Sequence, residues 1–255
     1  MKFSAISCLK ILSVTLEHKN NFMGVEDKML LIRNYDLWRN LSDEEYHTLK
    51  VDGGYKEAKK GEYIYFEAFN HQKIYFLKQG YIKIGYIDDD GNHIVKEIIK
   101  PGDFFGQITL ERENLHGEFA QAYKNDISLC SFSVDDFENL LKRRPDIALK
   151  YRKWVGFKLR KVENRLLNLL NKDVKKRLEN FFLQLAEQHP LPHKEGVFCV
   201  HNYLTHEDIA GLIGSSRQTV TTLINELETE NILTYNRSQI CFTDVKKLQK
   251  RGNVA

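Results

Sequence analysis

Residues 205–233 read THEDIAGLIGSSRQTVTTLINELETENIL, and this stretch decides the fold of the C-terminal third of the chain. Thr205 is placed to cap a first helix, with Asp208 at its third position able to reach back to the cap. Gly214 is expected to end that helix in a left-handed conformation that turns the chain sharply, and Ser216 to cap a second helix. The pattern predicts a helix-turn-helix. Its inner face would be formed by Ile209, Ala210, Ile213, Val220, Leu223, Ile224 and Leu227.

The outward side of the second helix carries side chains that can each donate a hydrogen bond, and none is acidic: Arg217, Gln218, Thr221, Thr222 and Asn225. Such a face suits the major groove of DNA, where base edges lie between rows of phosphates. After it, 232–235 and 239–242 are predicted to form a two-stranded wing, with Arg237 at its tip placed to touch a phosphate. An ordinary helical hairpin with a polar surface is the alternative. The full register and the acid-free face favour DNA binding.

The charge of the chain is distributed unevenly, in a way that fits this interpretation. Residues 1–140 contain 17 Lys and Arg against 23 Asp and Glu, whereas residues 141–255 contain 21 against 12. A basic C-terminal part is what a polyanionic partner requires. A solvated helix face is the other interpretation, because much of the excess falls in 142–177. No run of apolar residues approaches the roughly 18 that a membrane-spanning helix needs, so no membrane partner is expected.

The four cysteines, Cys8, Cys130, Cys199 and Cys241, lie far apart in the sequence. They form no Cys-x-x-Cys pair, and they are too few for a disulfide scaffold in a chain of 255 residues. This usage is typical of a reducing compartment, so we expect a cytoplasmic protein.

A long helical pattern begins at Pro145 and predicts a dimerisation helix over 145–170. One apolar stripe recurs at heptad spacing and predicts a coiled-coil seam of about three heptads, with Arg152 in its one gap. A second stripe could pack on the preceding domain. Two separate stripes favour a helix that pairs with a second copy of itself, and a helix buried on its own domain is the alternative. The seam consists of Ala148, Val155, Leu159, Val162, Leu166 and Leu169, and the second stripe of Ile147, Tyr151 and Trp154.

The chain is predicted to have an α+β fold with two domains joined by the long helix. Short segments over 55–135 are rich in β-branched and aromatic residues and predict a small antiparallel roll. Turn signals separate the segments, among them Gly80 and the pair Pro101-Gly102. Short helices are predicted over 26–50, with Ser42 and Glu45 as a capping box. The predicted domains are therefore a β roll over 24–144, the dimerisation helix over 145–170 and a winged helix-turn-helix over 171–250. Residues 1–23 are interpreted as an extension, disordered or an over-called start.

These motifs resemble the Crp/Fnr family of bacterial regulators over about 24–250. The likeness includes the stretches LKQGYIKIGYIDDDG and GDFFG, the seam helix and the winged motif. The resemblance implies an N-terminal jelly-roll sensor similar to a cyclic-nucleotide-binding domain and a dimer that binds a near-palindromic operator. It also implies that Thr205, Ser216 and Thr219 contact phosphates and that Arg217 reads guanine. Gln218 and Thr222 depart from the best-known members, which predicts a different operator.

The resemblance also places an effector pocket at Gly106, Gln107, Glu118, Phe119 and Ala120. Cyclic-AMP-binding members have a glutamate for the ribose where this chain has Gln107. Near the position of their phosphate-binding arginine stands Glu118, whose carboxylate would repel a phosphate. Binding of cyclic AMP in the family's usual way is therefore not expected, and the effector is unknown. With only Cys8 in its N-terminal part, the chain lacks the cysteines of the family's iron–sulfur oxygen sensors, and no cofactor is predicted.

The sequence gives little support for two further kinds of site. A zinc site is conceivable from spacing alone, but solvated histidines in a proline-interrupted loop are the preferred interpretation; the residues concerned are His189, His193, Cys199 and His201. No phosphate-binding glycine loop, nucleophile elbow or paired metal motif indicates an enzyme.

The expected partners are double-stranded DNA, a second copy of the chain and RNA polymerase. Two alternatives stay open at this point. One is a ligand-binding sensor whose DNA-binding domain is vestigial, and the other is a partner-binding protein that acts without DNA.

Overall fold

The computed structural model describes residues 38, 40, 42, 44–45, 51–68, 72–88, 91, 93–108, 115–188 and 197–252. The predicted extension over 1–23 lies outside these residues. The strands are β1 (Val51–Ala58), β2 (Tyr63–Ala68), β3 (Lys73–Ile87), β4 (His93–Ile99), β5 (Phe104–Gly106), β6 (Leu115–Ser133), β7 (Phe198–His201), β8 (Leu233–Tyr235) and β9 (Gln239–Phe242). The helices are α1 (Val134–Arg143), α2 (Pro145–Asn171), α3 (Val174–Gln188), α4 (His206–Ile213), α5 (Arg217–Thr229) and α6 (Val245–Gly252).

The N-terminal domain is built on two long antiparallel strands, β3 and β6, which pair along most of their length. The C-terminal half of β6 also pairs with β1, and its N-terminal half pairs with β2. On the other side, β4 and β5 pair with β3. All of these pairings are antiparallel, and they confirm the predicted antiparallel β domain, which is called the roll below.

Gly80 was predicted to end a strand, and this prediction was wrong. The structure has one continuous strand, β3, across this position, with Gly80 at a left-handed φ of 82° and an irregular register beside it. A Cβ atom at this position would lie 2.7 Å from the carbonyl oxygen of Asp126 on β6. Glycine is required here because the strands approach too closely for a side chain, so it permits a bulge that bends the strand.

An aromatic core joins the roll to the helices that follow it. The Trp38 ring is fully buried and stacks on Phe132, with ring centroids 5.3 Å apart. Ile147 and Tyr151 of α2 belong to the same cluster, and Trp154 packs against it. The second stripe of the long helix therefore packs on the roll as predicted. Each fully buried aromatic side chain of this kind contributes about 1.5–3 kcal/mol to folding.

The C-terminal part, residues 174–188 and 197–252, forms the winged domain. It contains α3, the α4–α5 pair and the small sheet β7-β9-β8. Helix α6 after the wing, and α1 at the end of the roll, were not predicted. The α6 sequence has few apolar residues, and it is held by tertiary contacts such as the burial of Leu248 and the ion pair of Arg251 with Glu230 at 2.5 Å.

Two of the cysteines that lie far apart in the sequence are bonded to each other in the structure. Cys199 in β7 and Cys241 in β9 form a disulfide across 42 residues of sequence. Residues far apart in the sequence can be close in space when their strands pair, and the register of β7 and β9 places these two residues opposite each other.

Within the described ranges, no helix is long and apolar enough to cross a bilayer.

Candidate nucleic-acid interface

Local capping interactions define both helices of the helix-turn-helix. The Thr205 side chain accepts a hydrogen bond from the Asp208 backbone, and Asp208 accepts one from the Thr205 backbone, so the capping box is complete. Gly214 ends α4 with φ 66° and ψ 56°, the left-handed conformation. Ser216 then caps α5 by accepting from the backbone of Thr219 at 3.1 Å. Ile209, Ala210, Ile213, Val220, Ile224 and Leu227 are buried between the helices.

The residues predicted to contact DNA lie on the solvent side of α5. Arg217, Gln218, Thr222 and Asn225 are exposed, whereas Thr219 and Thr221 are partly buried. No acidic residue lies in the first turn of this helix. The guanidinium of Arg217 is therefore presented to solvent at the N-terminal end of α5, where it can reach a base edge or a phosphate.

The two threonines of this face have their hydroxyl groups turned back to the helix. Thr221 donates to the Arg217 carbonyl at 2.9 Å, and Thr222 donates to the Gln218 carbonyl at 3.2 Å. Each hydroxyl can then act toward DNA only as an acceptor, while its methyl group can contact a thymine methyl. In this arrangement the side chains able to donate to base edges are those of Arg217, Gln218 and Asn225.

His206, on α4, was not singled out by the sequence, although it contacts this face. Its Nδ1 lies 2.8 Å from Thr221 Oγ1, and its ring packs on Tyr235 at 4.9 Å between centroids. Burial lowers the pKa of His206, and the nearby Arg217 lowers it further while Glu228 raises it. Neutral His206 therefore supports the position of Thr221 near pH 7.

The wing is fixed to the segment that precedes α4. The Asn236 side chain closes the wing turn by accepting hydrogen bonds from the backbones of Ser238 and Gln239. Asn202 donates through its backbone to the Ser238 carbonyl at 2.9 Å and through its side chain to the Asn236 carbonyl at 2.6 Å. Arg237 is exposed at the tip, as predicted from the sequence.

Helix α4 also packs directly on the roll. Asp208 is fully buried, its Oδ1 lies 2.6 Å from Lys83 Nζ on β3, and its Oδ2 accepts from the Tyr123 hydroxyl on β6. Burial alone would raise the pKa of Asp208, but the hydrogen bonds of Lys83, Thr205 and Tyr123 outweigh it and hold the pKa below its usual value. One residue thus completes the α4 cap and joins the winged domain to the roll.

Further contacts make this junction extensive. Tyr81 of β3 stacks on Tyr203 at 4.6 Å between centroids. Arg165 of α2 donates to the carbonyls of Lys96 in β4 and of Gly211 in α4, at 2.8 and 3.0 Å. The long helix, the roll and α4 are therefore bonded to one another at a single place.

The predicted dimer seam is exposed in the protomer. Leu159, Val162, Leu166 and Leu169 have between 39% and 59% of their surface exposed, and Val155 is partly buried. On the neighbouring stripe, α2 carries the buried residues Ile147 and Tyr151. The two stripes of the helix therefore have different environments, one against the roll and the other facing solvent.

A cavity of about 560 Å³ lies between the roll, α2 and the winged domain. Of the predicted effector residues, Gly106, Gln107 and Glu118 line it. The wall on the side of α2 includes the seam residues Val155, Leu159, Val162 and Leu169. The cavity and the dimer seam are therefore contiguous.

Phe119 and Ala120, which the resemblance placed in the effector pocket, do not line this cavity. Ala120 belongs to the apolar core of the roll. Phe119 points to the other face of β6, where it packs against Tyr63 and His93, because successive side chains of a strand alternate between its faces. Glu118 is the residue of this strand that reaches the cavity.

The Glu118 carboxylate is enclosed by polar partners. It accepts from the Tyr65 hydroxyl at 2.8 Å, and Lys96 Nζ lies 2.5 Å from its other oxygen. Burial raises the pKa of Tyr65, and the Glu118 charge raises it further, so Tyr65 remains a neutral donor. The charge of Lys96, the cation beside Glu118, is therefore already balanced by the Glu118 carboxylate.

Comparison with known proteins matches both domains. Residues 55–144 match the model of the cyclic nucleotide-binding domain, and residues 176–251 match the model of the Crp-like helix-turn-helix domain. Together the two matches cover more than half of the chain. The chain belongs to the Crp/Fnr family.

Individual Crp/Fnr proteins are similar along most of their length. The global nitrogen regulator of Synechocystis is 26% identical over 69% of this chain and 79% of its own length. A CRP/FNR-family transcriptional regulator of Thermus thermophilus has a structure with a TM-score of 0.60 and 26% identity, covering 78% of this chain and 97% of the other. A CooA mutant from Carboxydothermus hydrogenoformans gives a TM-score of 0.71 at 22% identity, covering 88% and 95%, and supports the fold alone.

Several residues around the candidate DNA-binding face of this Crp/Fnr-family chain could not be identified from the sequence. Lys83 and Tyr123 contact Asp208 although each lies far from it along the chain, a separation that no local pattern reports. His206 gave no signal because a lone histidine at a helix start has many structural uses. The capping box at Asp208 was the one local signal for this region, and it was recognised.

Proposed function

We propose that this Crp/Fnr-family chain is a sequence-specific DNA-binding transcription regulator that acts as a homodimer. The observation that carries the proposal is the exposed polar face of α5 beside the wing tip, with no acidic residue in the first turn of the helix. Thr205, Ser216, Thr219 and Arg237 would contact phosphates and fix the register of the protein on DNA. Arg217, Gln218 and Asn225 would donate to base edges, and Thr221 and Thr222 would contribute methyl and acceptor contacts.

The homodimer is supported by the exposed seam of α2. A helix of this length with a continuous apolar stripe is stabilised when a second copy covers the stripe in a coiled coil. Val155, Leu159, Val162, Leu166 and Leu169 are the residues proposed to meet their counterparts. Two copies would present two recognition helices to the two halves of a near-palindromic operator.

The cavity beside α2 is proposed as the sensor site, in a form that does not take cyclic AMP in the usual way. A cyclic phosphate would have to approach the buried Glu118 carboxylate, and Lys96 is already paired with that carboxylate. Placing a phosphate directly beside this carboxylate is unfavourable, because the charge of the adjacent Lys96 is already balanced by Glu118. Gln107 offers an amide where the family's cyclic-AMP-binding members have a carboxylate for the ribose.

Three further expectations complete the proposal. The chain acts in the cytoplasm, contacts RNA polymerase when bound upstream of a gene, and catalyses no reaction. The proposed domain limits are 24–144 for the roll, 145–170 for the dimerisation helix and 171–250 for the winged domain, with 1–23 as an extension.

The salt dependence of binding to duplex DNA tests the proposal. A dimer that neutralises six to ten phosphates is expected to lose roughly 10³- to 10⁵-fold in affinity between 50 and 200 mM salt. The measurement is a fluorescence-anisotropy titration of a labelled duplex at several salt concentrations. Arg237→Ala should lower the slope by about one contact per half-site and weaken all sequences equally. A shallow slope, or no binding, would favour a sensor with a vestigial DNA-binding domain or a partner-binding protein.

A further inference from the structure

The winged domain contains a cysteine pair that the proposed function does not use. Cys199 and Cys241 are directly opposite in the register of β7 and β9, with Cα atoms 3.9 Å apart and their sulfur atoms bonded. β7 is an edge strand, and the strands of this sheet have only three or four residues. In so short a sheet, one covalent link constrains a large part of the structure.

The link lies between two parts of the proposed DNA interface. The chain leaves β7 at His201 and reaches Thr205, the cap of α4, within four residues. Asn202, in that segment, is hydrogen-bonded to both Asn236 and Ser238 on either side of Arg237. β9, which contains Cys241, begins directly after this turn. The pair therefore ties the wing tip to the start of α4.

We propose that Cys199 and Cys241 are a reversible thiol–disulfide site, oxidised by low-molecular-weight disulfides, and that the oxidised form binds DNA more tightly than the reduced form. The part about DNA rests on the proposed function. The redox chemistry of the pair does not, and it is measured separately below.

The exchange is balanced in two steps. The Cys199 thiolate attacks a disulfide RSSR, forms a mixed disulfide and releases one RS⁻. The Cys241 thiolate then attacks the Cys199 sulfur, forms the protein disulfide and releases the second RS⁻. Each cysteine gives its proton to solvent, each RS⁻ takes one up, and two electrons pass from the protein to the two RSH products.

The surroundings of the cysteines set the order of these steps. Cys199 is partly exposed, whereas Cys241 is 8% exposed, so the small disulfide reaches Cys199 first. Cys130 lies in the core of the roll, fully buried, and burial raises the pKa of its thiol to about 11. Since the thiolate is the reactive form, Cys130 remains a thiol and serves as an internal control.

The expected effect on DNA binding follows from ordering. Without the disulfide, the edge strand and the wing turn are held by hydrogen bonds and by apolar packing such as that of Phe198 on Phe242, and both are non-covalent. If binding must then order the equivalent of about one additional residue, the affinity falls roughly tenfold. The change should apply to specific and random duplexes alike, because it concerns phosphate contacts at the wing and the α4 cap.

The test uses the full-length chain with Cys8→Ser, which prevents cross-linking through that cysteine. The protein is equilibrated with reduced and oxidised glutathione, quenched with acid, alkylated under denaturing conditions and weighed intact. Three alkyl groups are expected after reduction and one after oxidation, on Cys130. The affinity of each form for a random-sequence duplex is measured in parallel. The matched control, Cys199→Ser/Cys241→Ser in the same background, should bind DNA equally in both buffers and as weakly as the reduced form.

Each outcome decides part of the proposal. Three alkyl groups under oxidising conditions would overturn the redox site, whether or not the protein binds DNA. One alkyl group with equal affinity in both buffers, or with tighter binding by the reduced form, would overturn the coupling to DNA. Absence of DNA binding in both forms would overturn the proposed function together with that coupling, and the alkylation count would still decide the redox site.

Discussion

Replacing Arg217 by alanine is expected to weaken binding to the preferred duplex by about 5- to 150-fold per half-site, the equivalent of roughly 1–3 kcal/mol, and to relax the preference at one base pair. The guanidinium is exposed at the start of α5, where two parallel hydrogen bonds to the O6 and N7 atoms of a guanine are geometrically possible. Alanine removes both donors and leaves those base acceptors without a partner from the protein.

The measurement compares the affinities of Arg217→Ala for the preferred duplex and for four versions of the affected base pair. Arg217→Lys is the matched control, since it keeps the charge but loses the planar fork that recognises guanine. It should retain binding to random DNA while losing discrimination. A uniform loss of affinity across all sequences in Arg217→Ala, like that expected for Arg237→Ala, would mean that Arg217 contacts a phosphate instead.

Placing carboxylates in the seam of α2 is expected to have a large effect on both assembly and DNA binding. Leu159→Glu/Leu166→Glu should convert the dimer to a monomer and weaken binding to a two-half-site duplex by at least about 10²-fold, because the second half-site then no longer adds avidity. Each leucine that loses its cover removes about 1.5–3 kcal/mol of apolar burial, and charged side chains in a closed seam add a further cost.

Sedimentation and duplex binding of the same variant provide the measurement. Leu159 and Leu166 are 59% and 55% exposed in the protomer, so the monomer should keep its thermal midpoint. Phe157→Glu is the matched control, because Phe157 is 63% exposed but lies two residues from both 155 and 159 and so on the opposite side of the helix. A double variant that stays dimeric, or a control that dissociates equally, would contradict the proposed seam.

Sequence predicts this fold best where the rules are local. Thr205, Gly214 and Ser216 fix their helix ends through neighbours a few residues away, so these three positions are enough to locate the helix-turn-helix. The two stripes of α2 are equally local, because both follow from the helical repeat. The stripe of Ile147 and Tyr151 packs on the roll as expected, and the seam stays a prediction until the dimer is measured.

The features that sequence could not supply depend on distant pairing. Glycine is common in turns, so the sequence predicts a turn at Gly80. Only the close approach of Gly80 to Asp126 on a neighbouring strand shows why a glycine occurs in a bulge here. The proximity of Cys199 and Cys241 follows from the register of β7 and β9 alone. Glu118 was placed in the pocket by resemblance, but its enclosure by Tyr65 and Lys96 requires the folded sheet. Phe119 is the next residue after Glu118 along β6. Because side chains alternate between the faces of a strand, Glu118 lines the cavity and Phe119 packs on the opposite face.

The central claim is that this Crp/Fnr-family protein is a dimer that reads specific DNA and needs no cyclic nucleotide to do so. Selection of bound sequences from a random duplex pool, at moderate salt and without added nucleotide, tests it most directly. We expect enrichment of a near-palindrome whose half-sites lie about one helical turn apart. Added cyclic AMP should leave the enriched sequence and its affinity unchanged. Failure to enrich any sequence, or enrichment only with cyclic AMP, would contradict it.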